Sequence, residues 1–452
     1  MRLVASIATA LLIVACGGKQ TAQKTPTQTG TKRVIIVSID GLMPDAYMNP
    51  DKHGLKVPTL RWLRANGAYS PGVQSVFPTV TYPSHTSIAT GTNPGTHGIV
   101  TNYQFDPLLK NKKGWRWYAE AIKVPTLWQV ARAAGMSTAL IDWPVTVGAQ
   151  VDALVPEFWR AGTKDDQALI RALSTPGLLD AVAKRFPKFW ERYVPPDVLD
   201  EAAFDIAVHL LATRPPQLMM VHGWMVDEWQ HRKGIWSAEA KQAIEVADTQ
   251  LRRLIDAAKV AGVWKDTLLM VVSDHGFMNI SKLMRPGVLI AQAGLITADA
   301  DGKLTDWKAS VTTGGGQAYF YIKDSSDEAT KRTLLAKLAE LTRPGKGIRR
   351  IYTAAEIRQR GGDPRAFAAI DAEAGWAFGS GYSGDLVSKP SSAATHGFDP
   401  ERPEMRASLL IYGASVRGHR IDGARLIDVA PTAAKWLQVV IKQAVGKNLL
   451  SR

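Results

Sequence analysis

Runs of consecutive apolar residues that end in an acidic or histidine residue constrain the fold of this chain more than any other feature. The first run covers 33–41 and reads RVIIVSIDG, and similar runs cover 217–222, 267–274 and 406–412. An apolar run without alternation is typical of a parallel strand that is buried on both faces. Segments with helical spacing, such as 238–261, lie between the runs. The sequence therefore predicts an α/β fold with a mostly parallel sheet sandwiched by helices.

The N-terminal segment differs from the rest of the chain. Residues 1–15 combine Arg2 with a short apolar run, which is typical of a signal peptide. Cys16, the only cysteine in the 452 residues, directly follows Ala15. This pattern resembles a bacterial lipoprotein signal, in which Cys16 carries the lipid anchor, although a plain signal peptide with an incidental cysteine is the alternative. The resemblance implies an outer-membrane lipoprotein that faces the periplasm.

The polar segment 16–32 is rich in Gly, Gln, Thr and Lys, which predicts a flexible tether. Residues 33–452 are then the catalytic domain. A stretch at about 281–394 interrupts the alternation of strands and helices, and we interpret it as an inserted cap subdomain. The glycines at 314–316 are not followed by a Lys-Ser/Thr pair, so a nucleotide-binding P-loop is not predicted there.

The formal net charge is +14, which favours anionic partners such as phosphates. Lysines and arginines are scattered and do not alternate with aromatic residues in a dense run. A nucleic-acid polymer is therefore not expected as a partner, whereas the charge is compatible with a small phosphate ester or anhydride.

Acidic residues and histidines are concentrated where the predicted strands end. Three carboxylates and three histidines placed together are costly unless positive charge neutralises them. Two divalent cations would do so, and a mixed set of Asp and His ligands suits zinc, with manganese or iron as competitors. The residues are Asp40, Asp227, His231, Asp274, His275 and His396.

The segment 77–91, FPTVTYPSHTSIATG, contains the predicted nucleophile, Thr81. A threonine hydroxyl is a weak nucleophile at neutral pH, and a metal bound to its oxygen lowers its pKa. The residues that follow are predicted to start a helix, whose positive end favours a phosphate.

The order of these residues resembles that of the alkaline phosphatase superfamily. The motifs PTVTYPSH at 78–85 and HGIVTN at 97–102 are similar to those of the type I phosphodiesterase/nucleotide pyrophosphatase family, and the similarity extends from about Val34 to Trp436. The resemblance implies an alkaline-phosphatase-like fold. It also implies hydrolysis of phosphodiester or pyrophosphate bonds in nucleotide-type substrates through a phosphothreonine intermediate.

The resemblance also implies roles for individual residues. Asn102 would donate its amide to a non-bridging phosphate oxygen, and Tyr82 would either stack on a substrate base or pack in the wall of the site. One metal would be bound by Asp40, Thr81, Asp274 and His275, and the other by Asp227, His231 and His396.

Several alternatives stay open at this point. The same residues could serve a phosphomonoesterase or a phosphonoacetate-type hydrolase, and a remote alternative is a non-catalytic lipoprotein that binds in the envelope. The segment WPVT at 143–146 departs from the family pattern beside the substrate pocket, so the identity of the substrate stays open. We expect His85 and His97 to support the site or pack a helix, and we expect His222 to be a core histidine. The oligomeric state is not predicted.

Overall fold

The structure is a computed structural model that describes residues 31–111, 114–159, 164–193 and 199–450. The predicted signal peptide, Cys16 and nearly all of the predicted tether lie outside these residues. Lys32–Arg452 form one compact unit. Among the described residues, no helix combines the length and apolar character needed to cross a bilayer.

The secondary structure of the described residues alternates between strands and helices over most of the chain. The strands are β1 (Arg33–Ile39), β2 (Ala68–Val73), β3 (Thr138–Trp143), β4 (Ala153–Pro156), β5 (Leu218–Gly223), β6 (Thr267–Val272), β7 (Met278–Met284), β8 (Ile296–Ala298), β9 (Leu304–Trp307), β10 (Ala309–Gly314), β11 (Gln317–Ile322), β12 (Ile348–Thr353), β13 (Ala368–Ala372), β14 (Gly375–Phe378), β15 (Val387–Ser388), β16 (Ala394–Thr395), β17 (Ala407–Tyr412) and β18 (His419–Arg420). The α-helices are α1 (Asp45–Met48), α2 (Pro58–Asn66), α3 (Thr81–Thr90), α4 (Pro94–His97), α5 (Leu127–Ala133), α6 (Lys164–Leu173), α7 (Leu178–Arg185), α8 (Phe189–Tyr193), α9 (Leu199–Thr213), α10 (Met225–Lys233), α11 (Ala238–Val260), α12 (Pro286–Gln292), α13 (Glu328–Glu340), α14 (Ala354–Gln359) and α15 (Val429–Leu437).

An eight-stranded sheet lies at the centre of the molecule, in the order β18-β2-β17-β6-β1-β5-β3-β4. The pairs around β1, β3 and β5 are parallel. Strand β17 is antiparallel to both of its neighbours, β6 and β2. The predicted α/β fold with a mostly parallel sheet is confirmed.

Strand β1 shows why the apolar runs lack alternation. Ile35, Val37 and Ile39 pack into a core with α2, α9 and α11. Val34 and Ile36 point to the opposite face and pack with α3, α5 and α15. All five side chains are at most 2% exposed. Each contributes about 1.5–3 kcal/mol on burial, and both faces of the strand must be apolar because helices cover both.

The chain leaves the main sheet between β6 and β17. In this stretch β10, β11, β13 and β12 form a four-stranded antiparallel sheet with an apolar core of its own. Strand β7 pairs with β14 and β15, and the short strand β16 returns to pair with β7, with Ala394 beside Asn279 and Thr395 beside Met278. The stretch that the sequence predicts as a cap, about 281–394, thus lies between two strands that pair with each other.

Candidate active site

Most of the predicted site residues meet at the carboxyl edge of the main sheet. Asp40 directly follows β1, which lies between β5 and β6. Asp227 and His231 are on α10, the helix after β5, and Asp274 and His275 follow β6. Open α/β sheets bind their ligands at this edge.

Asp40, Asp274 and His275 form the first group of potential metal ligands. Nε2 of His275 lies 3.4 Å from Oδ1 of Asp40 and 3.0 Å from Oδ2 of Asp274. The N–H of Gly41, where φ is 67°, donates to the other oxygen of Asp274 over 3.1 Å. The three facing atoms have no hydrogen-bond partner in the described part of the chain. Because buried polar atoms are rarely left unpaired, these atoms fit a site that binds a cation.

Asp227, His231 and His396 form the second group. Nε2 of His231 lies 3.5 Å from one oxygen of Asp227, and Nε2 of His396 lies 3.7 Å from the other. The Nδ1 atoms of the two histidines lie 2.9 Å and 3.0 Å from the carbonyl oxygens of Ala394 and Thr79. A carbonyl only accepts, so Nδ1 carries the hydrogen and Nε2 keeps a lone pair for a metal.

The two groups lie side by side. Potential ligand atoms of Asp40, Asp227 and His275 all lie within 4.8 Å of one another. The rings of His275 and His396, one from each group, stack with their centroids 3.6 Å apart. A site for two neighbouring cations requires adjacent donor sets of this kind.

The electrostatics of the protein without metal support the same interpretation. Burial and, next, the Asp227 carboxylate raise the pKa of Asp40 well above its ordinary value, and burial and neighbouring carboxylates do the same for the pKa of Asp227 and of Asp274. Burial lowers the pKa of His231 to about 4 and that of His396 to about 3. The imidazoles are therefore neutral, as metal ligands must be, and bound cations would favour the ionised carboxylates.

Thr81 is the first residue of α3, and the preceding Val80 is extended. Its side chain is partly exposed, whereas the rest of α3 is buried. Nδ1 of His85 lies 2.9 Å from the carbonyl oxygen of Thr81, and Nε2 of the same ring lies 2.8 Å from the hydroxyl of Ser38 on β1. Thr81 thus lies at a helix N-terminus, where the helix dipole favours an anion.

A sequence profile described as type I phosphodiesterase/nucleotide pyrophosphatase matches residues 34–399. The match runs from β1 to β16 and includes every predicted metal ligand. The chain belongs to this family.

Curated proteins and solved structures support the type I phosphodiesterase/nucleotide pyrophosphatase assignment. The chain is 25% identical over 263 residues to rat ectonucleotide pyrophosphatase/phosphodiesterase family member 1, covering 56% of this chain and 25% of that protein. It is 23% identical over 290 residues to bovine bis(5'-adenosyl)-triphosphatase ENPP4, covering 62% of this chain and 54% of that protein. The chain thus spans about a quarter of the length of the rat relative and about half the length of the bovine relative.

The fold agrees with solved structures of the same family. Human ectonucleotide pyrophosphatase/phosphodiesterase 5 superposes with a TM-score of 0.66 at 19% identity, over 92% of this chain and 97% of that chain. An inactive variant of the murine protein, in complex with AMP, superposes with a TM-score of 0.62 at 20% identity, over 93% of this chain and 100% of that chain.

Asn102 and Tyr82, the two residues predicted to contact substrate, have different surroundings in this member of the family. Oδ1 of Asn102 accepts the backbone N–H of Tyr82 over 2.9 Å, which leaves its amide N–H groups for another acceptor. Tyr82 itself is 0% exposed. Its hydroxyl donates to Oε1 of Glu157 over 3.1 Å, and the ring of Trp115 packs 5.2 Å from its ring. Tyr82 therefore offers no open face for a substrate base in this conformation.

The aromatic rings with exposed surface beside Tyr82 belong to other residues. Tyr103 is 38% exposed and Trp159 is 40% exposed, and each ring lies 4.7 Å from the ring of Trp115. No pattern in the sequence predicted a role for Tyr103 in the site. Its position directly after Asn102 is the signal that could have identified it.

Two polar residues beside the phosphodiesterase-family ligand set were also missed or assigned to packing. His222, predicted as a core histidine, is buried but lies 3.1 Å from Oδ2 of Asp40. Glu157 follows β4 as Asp40 follows β1, so an acidic residue directly after a strand was the available signal. His85 contacts Thr81 and Ser38, as expected of a residue that supports the site, whereas His97 hydrogen bonds with Ser87 and packs against α3.

Proposed function

We propose that this protein hydrolyses phosphodiester or pyrophosphate bonds of nucleotide-type substrates, with Thr81 as nucleophile and two zinc ions as cofactors. The observation that carries the proposal is the set of buried, unpartnered carboxylate and imidazole atoms at the sheet edge that also receives the N-terminus of α3. The names of the curated relatives and the AMP complex of the murine relative support a nucleotide-type substrate.

Each potential ligand has a place in this proposal. Bound cations would supply positive charge to the substrate oxygens and lower the pKa of a hydroxyl that they contact. The first cation would be held by Asp40, Thr81, Asp274 and His275, and the second by Asp227, His231 and His396.

The protein's own residues carry out two displacements in this proposal. The Thr81 hydroxyl oxygen forms a bond to phosphorus, the bond to the leaving-group oxygen breaks, and the leaving oxygen ends with a proton. Water then forms a bond to the phosphorus of the phosphothreonine, the bond to Thr81 breaks, and the hydroxyl is restored. The Asn102 amide donates to a non-bridging oxygen, where negative charge accumulates in the transition state.

Substrate charge provides the test of this function. We expect kcat/KM for bis(p-nitrophenyl) phosphate to exceed that for p-nitrophenyl phosphate by about tenfold or more, because Thr81 and Asn102 add no positive charge to balance a dianionic monoester. Initial rates with zinc-loaded protein measure both values. A preference for the monoester would instead support a phosphomonoesterase, and cleavage of phosphonoacetate alone would support a phosphonoacetate-type hydrolase.

Asn102 provides a test of transition-state stabilisation. Replacing Asn102 with alanine is expected to lower kcat/KM for the diester by about 10²-fold, because one donor to the phosphate oxygen is lost. The Asn102→Asp variant is the matched control, since it keeps an oxygen that accepts the Tyr82 N–H but has no amide to donate. Near-normal activity in the aspartate variant would show that Asn102 acts only by holding the start of α3.

The lipid anchor at Cys16 and a periplasm-facing position in the outer membrane remain part of this proposal. They rest on the sequence pattern of residues 1–32, nearly all of which lie outside the described part of the chain.

A further inference from the structure

His222 lies between a predicted metal ligand and a backbone carbonyl. Its Nε2 atom is 3.1 Å from Oδ2 of Asp40, and its Nδ1 atom is 3.0 Å from the carbonyl oxygen of Asp142. The side chain is 1% exposed. Each ring nitrogen thus contacts a buried oxygen atom. His222 therefore connects Asp40 to the backbone of Asp142 and does not only fill the core.

The main sheet brings these groups together. In the pairing of β1 with β5, His222 lies beside Ser38, two residues before Asp40. On the other side of His222, β3 shifts its register against β4 between Ile141 and Trp143, and the intervening Asp142 has a φ of 49°. Aspartate tolerates this left-handed conformation better than most residues. The irregular strand end places the Asp142 carbonyl within hydrogen-bonding distance of His222.

Buried side chains hold both ends of this arrangement. The hydroxyl of Tyr193 donates to Oδ1 of Asp142 over 3.2 Å. Oε2 of Glu157 lies 3.6 Å from Nδ1 of His222 and thereby places a negative charge beside the ring. Oε1 of Glu157 accepts from Tyr82, the residue after the nucleophile. The ring of His222 thus cannot turn without breaking buried contacts on two sides.

The two oxygens of Asp40 consequently have different surroundings. Oδ2 contacts His222, whereas Oδ1 has no hydrogen-bond partner in the described part of the chain and lies 3.4 Å from Nε2 of His275. A hydrogen bond to one oxygen of a ligating carboxylate fixes the direction of the other. We propose that His222 is a positioning residue that aims Oδ1 of Asp40 at a cation and so raises the affinity of the first ligand group for that cation.

This inference rests on the proposed metal-dependent function, and two amide variants test it. The amide nitrogen of glutamine reaches about as far along the side chain as Nε2 of histidine, whereas that of asparagine reaches about as far as Nδ1. His222→Gln therefore keeps a donor for Asp40, and His222→Asn keeps a donor only for the Asp142 carbonyl. Both variants replace the same ring with the same neutral group, so they differ mainly in the contact with Asp40.

Zinc affinity of the metal-stripped full chain, measured by competition with a chromogenic chelator, is the readout. We expect His222→Asn to weaken one of two zinc sites by about 10- to 100-fold, and His222→Gln to stay within about threefold of the unchanged protein. His97→Asn is the control for loss of a buried histidine, because His97 bonds with Ser87 and the N–H of Ile99 rather than with any predicted ligand. It should lower the melting temperature and leave zinc affinity unchanged.

The outcomes separate the positioning role from the proposed function. If the unchanged protein binds no zinc and is equally active without it, the metal-dependent function is wrong and the inference falls with it. If it binds two zinc ions and His222→Asn and His222→Gln have equal affinities, only the role of His222 is overturned. If His222→Asn does not fold, His222→Gln carries the test, and a loss of tenfold or more in its zinc affinity overturns the role.

Discussion

Replacing Thr81 with alanine should lower kcat/KM by about 10³-fold or more while the fold and the bound metal are largely retained. The side chain lies at the start of α3 and is the predicted nucleophile, and the substitution leaves the six other predicted ligands in place. The measurement is the rate of diester cleavage under saturating zinc, together with the zinc content and melting temperature of the purified variant.

Two further variants and one trapping experiment complete the test of Thr81. Thr81→Ser keeps a hydroxyl at the same position and should retain much more activity than the alanine variant. Thr90→Ala removes a buried hydroxyl at the other end of the same helix, which bonds to the carbonyl of Thr86, and should cost stability with little change in rate. Acid quenching during turnover should yield a phosphorylated peptide that contains Thr81. A Thr81→Ala variant with near-full activity would mean that another group attacks phosphorus.

Removing the cations should abolish activity and lower the melting temperature by several degrees. A ligand present at 100 times its Kd stabilises the folded protein by about 2.7 kcal/mol. Loss of the cations leaves the carboxyl groups of Asp40, Asp227 and Asp274 close together. Their pKa values are raised in the metal-free protein, chiefly by burial, so rebinding of zinc should release protons. Calorimetry during zinc addition, in buffers of different ionisation enthalpy, measures that release, and restored activity shows that the loss is reversible.

Substitutions in the two ligand groups should distinguish the two cations. Asp274→Ala should remove one zinc ion and Asp227→Ala the other, as counted by elemental analysis. Asp205→Asn is the control, because Asp205 is as buried as Asp274 but is paired with Arg192 and Arg253. It should keep the full metal content. An unchanged melting temperature and rate after exhaustive chelation would contradict the metal-dependent mechanism.

The sequence predicts which acidic and histidine residues lie together, because most of them lie close to a local pattern. Asp40 and Asp274 follow apolar runs that had to be strands buried on both faces, and the parallel sheet brings their carboxyl ends to one edge. His396 is farther from such a run, and the family motif rather than the pattern identified it.

The features that the sequence did not predict depend on contacts between distant segments. The burial of Tyr82 depends on Trp115 and on Glu157, which is 75 residues away. The contact of His222 with Asp40 joins residues 182 positions apart, and it also needs the irregular end of β3 at Asp142. Neither the register of two strands nor a local change in strand geometry is encoded in a short window of sequence, so a histidine in a strand could only be assigned to the core.

The pairing of β7 with β16 brings the two ends of the long excursion from the main sheet together. Met278 and Thr395, which lie beside each other, form a stem through which the chain leaves and re-enters the catalytic body. The excursion supports the second ligand group directly, because the carbonyl of Ala394 contacts His231 and the N–H of Gly316 donates to the carbonyl oxygen of His396. Exchanging the segment beyond the stem for that of a relative should therefore change cation affinity as well as substrate preference, because contacts that orient His231 and His396 would be exchanged with it.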